Sequence, residues 1–209
     1  GRKAAIEQAI SDGYHVIVTA GYVVAPIIAD LAKANPDVLF LVLDVPSEDL
    51  GVKTCPKNLA LLCYREEQAG YLAGYAAVKG GYTELGFLGG DDVPAVVRYG
   101  HGFVQGADAA AKELKTKDVH INYWYSGSFN TNNEISIKID NWFVSGTEVI
   151  FMCGGGIYQD SIASAEANEC KLIGVDVDQS EDSECIITSA TKSLSDSVQN
   201  ALQAAAEND

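Results

Sequence analysis

Basic residues are scarce in this chain: 14 Lys and Arg stand against 29 Asp and Glu in 209 residues, a formal charge of −15. Nucleic-acid affinity comes mainly from Lys and Arg on phosphates, so this balance argues against a nucleic-acid partner. No apolar run approaches the roughly 18 residues that a membrane-spanning helix requires. No secretory leader is legible, because the opening GRKAAIEQAI is helical in pattern, with charges and no apolar central stretch. Histidine occurs only at 15, 101 and 120, and no His, Asp and Glu cluster has metal-ligand spacing. The five cysteines, at 55, 63, 153, 170 and 185, include no C-x-x-C pair, which argues against a zinc or thioredoxin-type motif. Four of them lie in or beside apolar runs, where a thiol behaves as a small hydrophobe. Buried, reduced thiols are expected, although a Cys55–Cys63 bridge is compatible with the spacing.

Phosphate-binding motifs are missing too. Gly154–Gly156 open like a dinucleotide fingerprint, but the position that must be the last glycine of G-x-G-x-x-G is Gln159. No Lys-Ser or Lys-Thr follows, so there is no P-loop. An enzyme is disfavoured on similar grounds. Cys153 and His101 are the one conceivable nucleophile and base, and no third group or oxyanion motif accompanies them. His15 and His120 fall within strands and read as structural. No cofactor is expected.

What the chain does have is regular alternation. Hydrophobic residues make up 47 %, enough for a substantial core. Gly146–Gln179 carries the pattern most plainly: VIFMC is strand-like, SIASAEA helical, and KLIGVDVD strand-like again, ending in two aspartates. Parallel strands need such a crossover, and it is almost always right-handed. Both strands then end at one sheet edge, the place where open α/β sheets bind ligands. There the first strand leaves Gly154, Gly155 and Gly156, whose backbone can approach a neutral ligand closely. The second leaves Asp176 and Asp178.

Along the rest of the chain, strands are expected at 14–20, 38–44, 58–63, 84–88, 119–125 and 185–189. Helices are expected at 2–10, 25–34, 66–80, 93–114, 132–144 and 194–206. The first two strands read as buried. Gly21 and Tyr22 turn the chain at the carboxyl end of the first. Asn130 or Thr131 can cap the helix that follows SGSFN. The alternation predicts α/β with parallel sheets. The chain opens on a helix with no strand before it, so a strand–helix unit is expected upstream.

YREEQAGYLAGYAA, GFLGGDDVPAVVRYGHGFVQGA, YSGSFN, CGGGIYQ and IGVDVDQ occur in this order. Together they resemble the basic-membrane-protein family of substrate-binding lipoproteins of ABC transporters, and its purine-nucleoside-binding members in particular. The resemblance covers nearly the whole chain. It implies a type I periplasmic-binding-protein fold: two doubly wound parallel-sheet lobes, a hinge, and ligand held in the cleft. The corresponding boundaries are 1–63 for an incomplete N-terminal lobe, 64–187 for the C-terminal lobe, and 188–209 for a returning hinge strand and helix. It further implies a small-molecule ligand, an ABC permease as partner, and an extracytoplasmic location with a lipid anchor outside this chain.

Site residues follow residue by residue. The family places an acidic residue at Asp176 against ribose hydroxyls, and a carboxylate can accept two parallel O–H bonds from a vicinal diol. Gly174 is the family's backbone partner in GVD. Glu66 stands where an acidic residue reaches ribose, although a first-turn charge on a helix would explain it equally. Lys192, in TSATK, matches the family's T-S-x-x-K lysine, against the alternative of a surface lysine. Asn130 faces the cleft in this reading. Phe129, Trp124 and Tyr22 offer flat faces to a purine, with core packing as the competing role. A sensory domain of the same fold is the alternative function.

Overall fold

The computed structural model describes residues 1–116 and 118–207. They fall into two compact units, Gly1–Tyr64 together with the segment from Leu194 on, and Arg65–Ser193.

The first unit begins with α1 (Arg2–Ser11), β1 (Val16–Ala20) and a 3₁₀ turn (Tyr22–Val24). It continues through α2 (Ala25–Ala34), β2 (Leu39–Leu43), a second 3₁₀ turn (Ser47–Leu50) and β3 (Leu59–Leu62). The three strands are parallel, in the order β1-β2-β3. Pro26 suits the first turn of α2, where its missing N–H costs nothing. Ile28, Leu31 and Ala32 of α2 bury against Phe40 and Val42 of β2. Asn58 ties the entry to β3 to the preceding crossover. Its Nδ2 donates to the carbonyls of Ala32, Asn35 and Val38 at 2.9, 2.9 and 2.8 Å. β1 departs from the expected buried strand: Ile17 is buried, but Val16 and Val18 are 44 and 45 % exposed. The reason is position, since β1 lies at an edge of the described sheet.

The second unit holds α3 (Glu66–Lys79), β4 (Glu84–Gly89), α4 (Pro94–Leu114), β5 (His120–Tyr125) and α5 (Asn133–Val144). After them come β6 (Val149–Cys153), a 3₁₀ turn (Gly155–Tyr158), α6 (Gln159–Ala167), β7 (Lys171–Asp176) and β8 (Ile186–Thr191). All five strands are parallel, ordered β5-β4-β6-β7-β8. Both sheet faces are covered, so the central strands are apolar at successive positions. Phe87, Phe151 and Ile173 point to the α3–α4 face, while Leu88, Ile150, Met152 and Leu172 point to the α5–α6 face. Asn132 caps α5, accepting from the Ile135 N–H at 3.0 Å, so the cap lies beyond Asn130 and Thr131 where the sequence placed it. Finally α7 (Leu194–Glu207) groups with the first unit, where the Ser197 and Tyr64 hydroxyls are 2.7 Å apart. The division therefore falls after Ser193. β8, read from sequence as the start of a hinge segment at 188, pairs with β7 from Leu172↔Ile186 to Asp176↔Thr191.

α3 and α4 pack with unusual closeness. A Cβ on Gly70 or Gly74 would lie 2.1 or 2.0 Å from the carbonyl oxygens of Tyr99 or Phe103. In return, a Cβ on Gly102 or Gly106 would lie 2.1 or 1.9 Å from those of Glu67 or Tyr71. Each helix thus carries a G-x-x-x-G step, and the two backbones meet there without side chains between them. Such contact brings Cα–H groups onto carbonyls, a weak but additive attraction.

Candidate ligand site

Four charged side chains converge at the carboxyl edge of the five-stranded sheet, all within the second unit. Glu66 is the first residue of α3, and its side chain is 0 % exposed. Its Oε2 accepts from Arg98 Nε at 2.6 Å. Arg98 stands in the second turn of α4, so the helix contact just described sets this pair. Lys192 follows β8 and its N–H donates to the Asp176 carbonyl at 2.8 Å, prolonging the β7–β8 ladder. That places the Lys192 Nζ, on a side chain only 5 % exposed, 3.2 Å from Asp176 Oδ1 and 3.7 Å from Glu66 Oε1. The ammonium also lies 5.5 Å from the centre of the buried Tyr99 ring, whose hydroxyl donates to the Ala190 carbonyl at 3.0 Å. Two carboxylates and two cations leave the group formally neutral, which suits a dry setting where an unpaired charge is costly.

Among these four side chains the charges balance, but two carboxylate oxygens lack a hydrogen bond. Glu66 Oε1 and Asp176 Oδ1 are shielded from solvent, and neither receives a well-oriented hydrogen bond among the described residues. A buried acceptor left in this state costs about 1–3 kcal/mol. The Asp176 side chain is nevertheless 39 % exposed, so its other oxygen reaches the surface. Its backbone is also strained: φ is 68°, in the left-handed region that residues other than glycine rarely occupy. Strain held at a strand end beside buried charge is a mark of functional sites.

Beneath the cluster lies the end of β6. Burial pushes the Cys153 thiol well above its ordinary pKa; the charges of Asp176 and Glu66 push the same way and Lys192 opposes them. A protonated, enclosed thiol is a poor nucleophile.

The other expected residues are placed differently. Gly174 is buried in β7, and a Cβ there would meet Gln179 Oε1 at 2.4 Å and Ser189 Oγ at 2.6 Å. It makes room for Gln179, whose Oε1 accepts from the Val175 N–H at 2.9 Å. Gly154 backs onto Gly90, with 2.8 Å between a Cβ there and the Gly90 nitrogen. The Gly156 N–H donates to the Phe129 carbonyl at 3.1 Å. Gly155, at φ 51°, is the exposed member of the three. The ring of Phe129 lies against Gly90, on the core of the α3–α4 face. Trp124 packs on the opposite face, with Lys138 Nζ 5.5 Å from its ring centre. Asn130 is exposed in the loop before α5. Gly21 and Tyr22 belong to the first unit, at the carboxyl edge of its own sheet. There the Gly21 N–H donates to the Leu43 carbonyl at 3.1 Å, and desolvation and then Asp49 raise the Tyr22 pKa. The structure thus brings Glu66, Asp176 and Lys192 into direct relation.

Arg98, Tyr99 and Gln179 were missed in the sequence. VVRYG reads as an ordinary stretch of helix, and only the α3–α4 contact pairs Arg98 with Glu66. For Gln179 a signal existed: a long amide just after a strand that contains a glycine.

None of the five cysteines forms a disulfide among the described residues. Cys153 and Cys185 are buried, Cys170 is half-buried, and Cys55 and Cys63 are exposed, against the expectation of mostly buried thiols. Both exposed residues flank β3, an edge strand of the described sheet, so the apolar run beside them does not enclose them.

Parallel sheets covered on both faces, with polar chemistry gathered at a carboxyl edge, are the architecture of type I periplasmic-binding-protein folds. Solved structures share it. A solute-binding protein of an ABC transporter system from Aeropyrum pernix K1 aligns with a TM-score of 0.75 at 20 % identity, over 90 % of this chain and 53 % of that one. A transcriptional activator of the comK gene from Bacillus halodurans aligns with a TM-score of 0.68 at 19 % identity, over 90 % and 62 %. The chain belongs to the family of PnrA-like ABC transporter substrate-binding proteins, whose profile matches residues 2–209. Among its relatives is the ABC transporter nucleoside-binding protein BmpA of Lactococcus lactis subsp. cremoris, 29 % identical over 82 % of this chain and 48 % of the relative. Basic membrane protein A2 of Borrelia garinii subsp. bavariensis is 31 % identical over 87 % of this chain and 53 % of the relative. The chain spans about half the length of the curated relatives it matches.

Proposed function

We propose that the protein carrying this chain is an extracytoplasmic substrate-binding lipoprotein that delivers a purine nucleoside to an ABC permease, without chemical turnover. Its membrane attachment in this reading is a lipid anchor outside the chain. The observation that carries the proposal is the pair of solvent-shielded acceptors, Glu66 Oε1 and Asp176 Oδ1, that converge on Lys192. Acceptors beside a cation suit a ligand rich in hydroxyls, since a hydroxyl can donate to a carboxylate and accept from the ammonium. In this reading the ribose diol donates to the exposed oxygen of Asp176, while Lys192 holds the shielded Oδ1 and so orients the carboxylate. Glu66, being enclosed, supports the site from behind. Gly155 and Asn130 remain candidate contacts for the rest of the nucleoside. The named nucleoside-binding relative supports the same ligand class.

Calorimetry with adenosine, 2′,3′-dideoxyadenosine and adenine tests the proposal, alongside mass spectrometry of small molecules released from the purified protein. Adenosine should bind at least tenfold more tightly than the other two. Equal binding of all three, or release of a purine base from adenosine, would overturn it.

A further inference from the structure

We infer that Arg98 is a positioning residue that sets how Lys192 is shared between Glu66 and Asp176, and through this sets selectivity for a diol. The inference rests on the nucleoside reading of Asp176.

The geometry is a chain of alternating charge: Arg98, Glu66, Lys192, Asp176. Arg98 Nε holds Glu66 Oε2 at 2.6 Å. Lys192 Nζ stands nearer to Asp176, at 3.2 Å, than to Glu66, at 3.7 Å. That ordering is the reverse of what burial alone would favour. Glu66 is wholly enclosed, while the Asp176 side chain is 39 % exposed and partly solvated. An enclosed carboxylate attracts a neighbouring ammonium more strongly than a wet one does. The guanidinium resolves this by neutralising Glu66 from its other side, so Lys192 remains with Asp176. Tyr99 limits the alternatives, because its buried ring lies 5.5 Å below the ammonium. Other charged or titratable groups near Glu66 include Arg65 and Glu67, its neighbours in the chain, and the enclosed Cys153 thiol at the end of β6.

Arg98 therefore acts without touching ligand. If it is removed, Lys192 moves onto Glu66, Asp176 loses its partner, and the carboxylate is no longer held with its exposed oxygen toward the ribose hydroxyls. If the negative charge on Glu66 is removed as well, the competing pull disappears and Lys192 returns to Asp176. A role in packing alone does not produce such a recovery.

The test measures dissociation constants for adenosine and 2′,3′-dideoxyadenosine, with thermal melts, on wild type, Arg98→Met, Arg98→Lys, Arg98→Met with Glu66→Gln, and Asp176→Ala. Arg98→Met should weaken adenosine at least tenfold and dideoxyadenosine by less than threefold. Arg98→Lys should keep most of the selectivity, since it retains the charge. The double variant should recover at least threefold over Arg98→Met. The inference is overturned if Arg98→Met leaves selectivity unchanged or weakens both ligands equally, or if the double variant binds adenosine no better than the single one. Should Arg98→Met fail to fold, the double variant must fold and Arg98→Lys must stay selective; otherwise the inference also fails. Asp176→Ala separates the two ideas. Loss of selectivity there with none in Arg98→Met sinks only the positioning role, and no loss in Asp176→Ala sinks the nucleoside reading.

Discussion

Asp44 and Asp176 close two copies of one chain path and hold the same backbone conformation, with φ of 67° and 68°. In the first unit the path runs β1, 3₁₀ turn, α2, β2, Asp44; in the second it runs β6, 3₁₀ turn, α6, β7. Each begins with a glycine after its first strand, Gly21 or Gly154, and each ends in Asp-Val. In both, the two strands are parallel neighbours. A left-handed aspartate at this point is thus a property of the module, and in the second unit it is the residue that meets Lys192.

Asp176→Gly should separate stability from binding. Glycine adopts the left-handed region without strain, a gain of about 1 kcal/mol that offsets part of the cost of leaving Lys192 with Glu66 alone. The lost charge-assisted contact should cost binding about 1.5–3 kcal/mol, roughly tenfold to a hundredfold in affinity. A melt and an adenosine titration on the same sample check both. A markedly lower melting temperature would mean that Asp176 supports the fold rather than the ligand.

Gly74→Ala should strongly destabilise the second unit. The added Cβ would sit 2.0 Å from a backbone oxygen of Phe103, and a backbone cannot step aside as a side chain can. The helices must separate, at a cost of at least about 2–3 kcal/mol. Gly80→Ala is the control, because the nearest atoms there are 3.3 Å away. Urea unfolding of both variants would show the contrast; equal midpoints would refute the close helix contact.

Asn58→Ala should destabilise the first unit by about 2 kcal/mol, because three carbonyls lose a shared donor at once. Asn58→Asp should be at least as harmful, since its carboxylate would face those carbonyls. Hydrogen exchange resolved along the chain would locate the loss. Faster exchange confined to residues outside Ala32–Leu62 would contradict it.

Thiol labelling without denaturant should modify Cys55 and Cys63 first. Cys153 and Cys185 should react only on unfolding, because they are enclosed and burial also keeps the Cys153 thiol protonated. Peptide mapping after brief alkylation is the measurement. Native labelling of Cys153 at a rate like that of Cys55 would show that the floor of the site is open.

Much of this fold is legible in the sequence because parallel strands covered on both faces leave near-continuous apolar runs. VIFMC is strand β6 to the residue, and APIIADLAKA is helix α2. Where reading falters, the cause lies in partners that local sequence does not name. VIVTA looks as buried as VIFMC, but β1 is an edge and β6 a centre. Of the site, Asp176, Glu66 and Lys192 were readable as a family pattern. Their mutual geometry was not, because it depends on Arg98 approaching from another helix. Gly174 shows a role that local sequence does not name: the space left by its missing side chain is filled by Gln179.

The glycine steps between α3 and α4 also bear on motion. Two helices separated by side chains can slide, as rotamers adjust between them. Backbones in direct contact at Gly70, Gly74, Gly102 and Gly106 have no such cushion, so the pair behaves as one stiff lever. Glu66 is at one end of it. α3 is 14 residues long, so a tilt begun at Glu66 is felt about 20 Å away, near Lys79 and its partner Glu113 on α4. If occupancy of the charge cluster tilts α3, a spectroscopic label at that far end would register it without touching the cluster.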